Sequence, residues 1–482
     1  MTATIQIGAT QRSSKDLIRT AVSGWLGTAM EYMDFQLYSL AAAIIFPKIF
    51  FPNFDPVVGL LVAFITYGVG FMARPVGAWF FGRMGDRVGR KKVLVITIMM
   101  MGVSTMLIGF LPGYAQIGLA APILLVVLRL AQGFGAGAEL SGASVMLAEY
   151  APPKKRGLIA SFVCLGTNSG TLLASGLWVL LTLLPEEALM SWGWRLPFIA
   201  SIGITLYALW MRRNLKESPV FEATREQDAA DDAAAAAADA ATSGTAVGQS
   251  AATSGTAVGQ PAVGQPAVGQ PAAGRAETKT QRKGKAFFLA MALRIGESGN
   301  SAMIQTFLIG YIVSGLHMDK GVGTFALLIG SIIGFATVPL AGWLSDKFGR
   351  RSMYRALSGF QMLFAIPAIL MMQSRDPFLV SLALIIGLSV SVLGMFSVQS
   401  AYVNELFGSR NRYTQLALAK EIGGVLSGGL APIIAAGLLA LFTNSWWPIA
   451  GMMVLYSAIA FVATFLAPET KGRDLTLVED AA

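Results

Sequence analysis

The sequence has 482 residues, of which 54% are hydrophobic and only 13% charged, with a formal net charge of +9. A soluble domain carries about 25% charged residues, so most of this chain faces lipid or other buried helices. Its basic residues sit in short clusters between apolar segments, as membrane topology requires and a nucleic-acid surface does not. One cysteine, Cys164, and one histidine, His317, exclude a disulfide framework and any Cys/His metal cluster, and no cofactor is implied.

Residues 1–19 are polar, without a short apolar stretch and small-residue cleavage site, and read as a cytoplasmic tail rather than a cleaved signal. A spanning helix needs about 20 apolar residues. Six such stretches, at 20–46, 57–82, 93–112, 121–148, 157–184 and 196–211, place a first helical bundle within 20–221. The segment 222–285 carries ATSGTAVGQ twice and PAVGQ twice, with almost no large apolar residues. It cannot bury a core and reads as a flexible cytoplasmic linker. Six more stretches, at 286–316, 322–345, 356–373, 377–406, 413–442 and 446–467, place a second bundle within 286–467, before a tail at 468–482. The expected fold is therefore an all-α membrane protein of twelve transmembrane helices in two pseudo-symmetric six-helix bundles.

Most of the 36 Lys and Arg fall on one set of alternate loops. Only Lys48, Arg195, Lys320 and Arg375 lie on the other set, and Arg74, Arg129, Arg294 and Lys420 lie inside spans. The positive-inside rule then predicts both termini and the linker in the cytoplasm.

In the first span, GTAMEYMDFQLY puts Glu31, Asp34 and Tyr38 at i, i+3 and i+7, on one helix face. Asp34 lies about 21 Å from the inner surface at the α-helical rise. A carboxylate there is expensive unless it is paired or protonated, the condition of a proton carrier or of a static ion pair. Arg74, before Pro75 in the second span, sits about 12 Å from the inner end. The fourth span, RLAQGFGAGAELSGA, places Arg129, Gln132 and Glu139 on one stripe beside a face of small residues suited to close packing. The spacing predicts an Asp34–Arg129 ion pair that opens when Asp34 takes a proton, with Glu31 and Glu139 as alternative acids or fixed partners. In the second bundle, Arg294 and Glu297 are three residues apart, so they face a cavity or satisfy each other. Asn300, Gln305 and Gln399 bind a ligand or bridge helices. Lys420 and Glu421 are adjacent and point about 100° apart, so they do not face one pocket.

The two halves repeat. GRMGDRVGRKK follows the second span and GWLSDKFGRR the eighth, which sets Asp86 and Asp346 260 residues apart. Glu149 and Arg156 recur as Glu405 and Arg412, both 256 residues on. Such halves are related about an axis along the membrane normal. Gly82, Asp86, Arg87 and Arg90, with Glu149, Arg156, Asp346, Arg350, Glu405 and Arg412, are the candidate gating residues at the inner face.

The loop GRMGDRVGRKK, in that place and repeated, resembles the signature cytoplasmic motif of the major facilitator superfamily. The surroundings of Asp34 and Arg129, with FMARPVGAWFFG, AEYAPPKKRG, SWGWRLPF, RRNLKESPVF, NELFGSRNRYT and APETKGR, resemble the metabolite:proton symporter family within it, and most of all its shikimate permease branch, including ALRIGE in span seven. The resemblance covers nearly all of the chain outside the tail and linker. It implies alternating access through an inner gate, and a role for Arg74 in binding an anionic substrate. Where that family has a Trp and another aromatic before the aspartate, this chain has Tyr32 and Met33, and Ala138 replaces a glycine before Glu139. Those departures bear on the substrate rather than on the fold.

Together these features point to a bacterial inner-membrane carrier that imports a small organic acid or zwitterion with protons and works as a monomer. Asp34, Arg129, Glu31 and Glu139 are the coupling candidates. Arg74, Tyr38, Gln132, Arg294, Glu297, Asn300, Gln305, Gln399 and Lys420 are the substrate candidates. An exporter or antiporter of the same fold is the alternative. A membrane enzyme is disfavoured by the scarcity of His, Cys and dense acidic clusters. A sensor would need an output domain that the linker lacks the composition to fold.

Overall fold

The computed structural model describes residues 14–88, 90–137, 147–148, 151–213, 274–408, 412–442, 445–475, 477 and 479–481. In lipid every backbone N–H and C=O must be satisfied within its own segment, and the described spanning segments are accordingly helical. The first bundle comprises α1 (Ser14–Ile44), α2 (Pro56–Val88), α3 (Arg90–Phe110), α4 (Ala120–Ala136), α5 (Arg156–Thr182) and α6 (Arg195–Arg213). The second comprises α7 (Gly274–Ala302, a π turn over Met303–Phe307, then Leu308–Ser314), α8 (Lys320–Phe348), α9 (Arg350–Gln373), α10 (Pro377–Leu406), α11 (Arg412–Gly424, continuing to Leu441) and α12 (Trp447–Leu466).

Among the described residues seven of these helices are long and apolar enough to cross a membrane, and the apolar parts of α3, α4 and α6 are shorter. The remaining two, α1 and α7, carry charges at membrane depth, Glu31 and Asp34 on the first and Arg294 and Glu297 on the second.

Several helices outrun their apolar stretches. α2 continues to Val88 and α9 begins at Arg350, so the two repeated motifs lie largely on helix rather than in loops. α7 begins at Gly274, inside the segment expected to be linker. Hydropathy marks where a helix must leave water, not where it must end, because a polar turn in water keeps its hydrogen bonds equally well. The turn between α8 and α9 is a single residue, Gly349, with φ of 101°. A side chain there would be strained and would also meet Glu469.

Inside each bundle small residues set how closely helices approach. Where α2 crosses α4, a Cβ on Gly77 would collide with the Phe134 carbonyl, and one on Gly133 with the Gly70 carbonyl. The bundles meet along two seams, α5 against α8 and α2 against α11. α1 packs against the Met303–Ser314 part of α7.

Candidate functional site

On the axis a cavity of about 70 Å³ is lined by α1, α2, α5, α7, α10 and α11. Its charged lining is Arg74, Arg294 and Glu297, beside Gln305 and the rings of Tyr32, Phe71 and Phe396. Ligand pockets usually hold several hundred Å³, so the bundles must part to admit a substrate. Contacts close the interface toward both faces.

Toward the face that carries the α6 and α7 ends, Asp346 accepts the backbone N–H of Gly157 and of Leu158, both at 2.8 Å, from the first turn of α5. A carboxylate at a helix N-terminus satisfies unpaired donors and complements the helix dipole. Arg350 binds Asp346 at 2.8 Å and Glu405 at 3.2 Å, and Arg156 crosses from the first bundle to Glu405 at 3.0 Å. The C-terminal segment joins this gate: Thr470 donates to Glu405, and Arg156 and Arg412 donate to the carbonyls of Arg473 and Leu475. Toward the opposite face the seal is largely neutral. Ser39 and Thr306 share a 2.6 Å hydrogen bond, Gln36 donates to the Gln305 carbonyl, and the Phe64 and Phe307 rings lie 6.3 Å apart. At that surface the exposed Lys48–Glu186 pair, at 2.7 Å, stays within the first bundle. The hydrogen bond and then the charge of Lys48 hold the Glu186 carboxyl below its ordinary range.

Asp34 lies inside the first bundle, 6% exposed. The expected direct ion pair with Arg129 is not formed here. Instead Arg129 Nη1 donates to Gln132 Oε1 at 2.5 Å, Gln132 Nε2 donates to Thr105 Oγ1 at 2.8 Å, and Thr105 is 3.0 Å from Asp34 Oδ2. The single Thr105 proton also faces the Met101 carbonyl at 2.9 Å. Arg129 is fully buried, stacked over Phe35 and Tyr38 at 4.5 and 4.1 Å, and its Nε and Nη2 have no hydrogen-bond partner. Gly70 leaves the room its guanidinium occupies, since a Cβ there would touch it.

Arg74 is not an open anion site. Its Nη2 binds Glu31 and its Nε binds Glu421, both at 2.9 Å, and Phe35 and Phe71 flank it. The first pair is internal to the first bundle, and the second crosses to α11. Arg294 Nη1 pairs with Glu297 at 2.5 Å while its Nε has no hydrogen-bond partner, and both residues line the cavity.

Of the expected substrate residues, Arg74, Arg294, Glu297 and Gln305 therefore line the cavity, and five others do not. Tyr38 donates to Thr66 within the first bundle, and Gln132 belongs to the Asp34 chain. Asn300 Nδ2 donates to the Gly296 carbonyl and to Ser457 Oγ, between α7 and α12, while its Oδ1 has no hydrogen-bond partner. Gln399 faces Tyr354 inside the second bundle, and Lys420 lies near Arg294, Glu297 and Glu421 without lining the cavity. Each sits on a helix face that a one-dimensional pattern cannot aim. Arg195, at the start of α6, donates to the Gly109 and Leu111 carbonyls and so anchors the end of α3. Glu139 and Glu149, the surroundings of Gly82, and the side chains of Asp86, Arg87 and Arg90 lie outside what the structure describes.

Sequence reasoning missed Thr105, one hydroxyl in an apolar span with no pattern to mark it, and it set Glu421 aside. The alternation of charge at Lys420 and Glu421 was the available signal. Of the two, Glu421 is the one in ion-pair contact with Arg74.

Residues 41–482 match the family of sugar (and other) transporters. The YdfJ protein of Escherichia coli (strain K12) is 47% identical over 453 residues, covering 93% of this chain and 96% of that one. The shikimate transporter of the same organism is 32% identical over 455 residues, covering 94% and 95%. The solved structure of the major facilitator superfamily proton:xylose symporter XylE superposes with a TM-score of 0.66 at 17% identity, over 97% of this chain and 99% of that one, which fixes the fold alone.

Proposed function

The chain belongs to the sugar (and other) transporter family, within the major facilitator superfamily, and is a transporter rather than an enzyme; on that footing we propose that it imports a small organic acid or zwitterionic metabolite together with protons, by alternating access. The observation that carries this reading is the Asp34–Thr105–Gln132–Arg129 chain, a buried carboxylate linked by hydrogen bonds to a buried arginine beside a cavity with charges of both signs. Protonation of Asp34 removes the charge that the chain holds and alters the packing of α1 against α3 and α4. Since α1 also lines the cavity and meets α7, the protonation state of Asp34 and the separation of the bundles are mechanically joined.

The gate of Asp346, Arg350, Glu405 and Arg156 lies, in this reading, at the cytoplasmic face, with both termini and the linker. The excess of Lys and Arg on that side supports the assignment, and a bacterial inner membrane is the compartment it implies. The cavity is built from one chain, which suits a monomer.

The reading is tested by uptake of radiolabelled organic acids and amino acids into proteoliposomes. Acidifying the outside should drive at least one substrate above its equilibrium distribution, and a protonophore should collapse that accumulation. Accumulation driven by an alkaline exterior would instead mark an antiporter.

A further inference from the structure

The charged groups around the cavity are balanced. Among the described residues, Arg74, Arg294 and Lys420 stand with Glu31, Glu297 and Glu421. The three carboxylates are 1%, 3% and 7% exposed. Arg74 holds two carboxylates, one from each bundle: Glu31 on Nη2, and Glu421 on Nε at 2.9 Å and on Nη2 at 3.4 Å. A monoanion that took the Nε side of Arg74 would strand Glu421 inside the protein without its cation, and a buried charge deprived of its partner is heavily penalised. Lys420 and Arg294 act on Glu421 only at longer range, and among the described residues Arg74 is the cation in ion-pair contact with it. A ligand carrying one anionic and one cationic group strands nothing, because it replaces both halves of the pair it separates.

We infer that the substrate is a zwitterion that inserts into the Arg74–Glu421 ion pair, its carboxylate on the Arg74 guanidinium and its cationic nitrogen on Glu421. Glu31 stays on Arg74 throughout. The rings of Phe71, Tyr67 and Phe396 line the adjoining space and present π faces that favour a cation. Arg74 is on α2 and Glu421 on α11, so the pair is a direct bond across the bundle interface. The zwitterion exchanges that bond for an equivalent bridge through itself, and the empty and loaded carriers are then both held across the same seam. A singly charged ligand breaks the bridge and restores only half of it. This inference narrows the substrate class of the proposed carrier and rests on that reading.

The test is binding to the purified full-length protein in nanodiscs, by thermal shift and calorimetry. The probes are a panel of amino, imino and betaine-type acids, each paired with the isostere in which carbon replaces the cationic nitrogen, together with shikimate as a monoanion. In the wild type the best zwitterion should bind more than about tenfold tighter than its isostere, since separating a buried charge pair is worth at least that. Glu421→Gln should erase the preference, the monoanion gaining and the zwitterion losing affinity, whereas Glu421→Asp should keep it. A wild type that prefers shikimate or the carbon isosteres, or binds no zwitterion, overturns the inference, as does an unchanged preference in Glu421→Gln. If zwitterion preference holds but a pH gradient drives no uptake, the proton-coupled reading fails and the inference stands.

Discussion

Asp34 depends on one hydroxyl. Thr105 is 3.0 Å from Asp34 Oδ2 and also accepts the Gln132 amide, so removing one oxygen from Thr105 disturbs two buried polar groups at once. Thr105→Val keeps the side chain's shape and leaves both unmatched. It should lower stability by about 1–3 kcal/mol and cut pH-gradient-driven uptake severalfold. Thr105→Ser, which keeps the hydroxyl, should stay near the wild type in both. Denaturation in micelles and uptake in liposomes check the two halves of this expectation, and equal behaviour of the Val and Ser variants would remove Thr105 from the chain. The acid itself was legible in the sequence because a helical stripe of Glu31, Asp34 and Tyr38 at membrane depth is costly. Its hydrogen-bond partner was not, because a threonine in an apolar helix usually bonds its own backbone, as Thr105 also does with Met101. The same limit explains why an Asp34–Arg129 contact was expected directly. Depth along two helices was readable, but their rotation, which interposes Gln132 and Thr105, was not.

The helix most exposed to electrostatic control is α5, whose first turn is held by Asp346 of the other bundle. The importance of Asp346 was readable from the repeat of GRMGDRVGRKK as GWLSDKFGRR, but its target was not, since Gly157 and Leu158 are joined to it only by the packing of α5 on α8. Asp346→Asn keeps the shape and removes the charge that complements the α5 dipole and Arg350. That interaction contributes about 1–2 kcal/mol in a partly buried setting, enough to shift the balance between closed and open gate about tenfold. The protein carries its own reporter. Cys164, the sole cysteine, is buried on α5 about 12 Å past its start and donates to the Phe396 carbonyl across the interface at 3.4 Å. N-ethylmaleimide should label Cys164 several-fold faster in Asp346→Asn than in the wild type. Equal rates would mean that the bond between α8 and α5 does not hold the gate. The π turns of α7, α10 and α11 had no sequence signal. All three fall near the interface, at Met303–Phe307, Gly387–Val392 and Val425–Gly429, where an extra residue per turn re-aims the side chains that follow.

Across the whole molecule, twelve spans and two related halves followed from hydropathy and from the recurrence of Asp86 as Asp346 and Glu149 as Glu405. Both are properties of the chain read in one dimension. The contacts between halves are separated by hundreds of residues, as Arg74 and Glu421 are, and no local pattern encodes them. The gate at the linker face is charged and the seal at the other face largely neutral, so the two barriers differ in strength and in sensitivity to salt. A carrier built this way needs an event inside one bundle to change the fit between both, and in the proposed mechanism that event is the protonation of Asp34. The direct test is a paired measurement on Asp34→Asn and wild type in the same liposomes, following accumulation driven by an acidic exterior and exchange of internal for external substrate. Asn keeps the shape, still accepts from Thr105 and cannot carry a proton, so the variant should bind substrate and exchange it yet fail to accumulate it. Concentrative uptake by Asp34→Asn under the acidic exterior would rule out Asp34 as the proton carrier and move the proton to another acid, with Glu31 first in line.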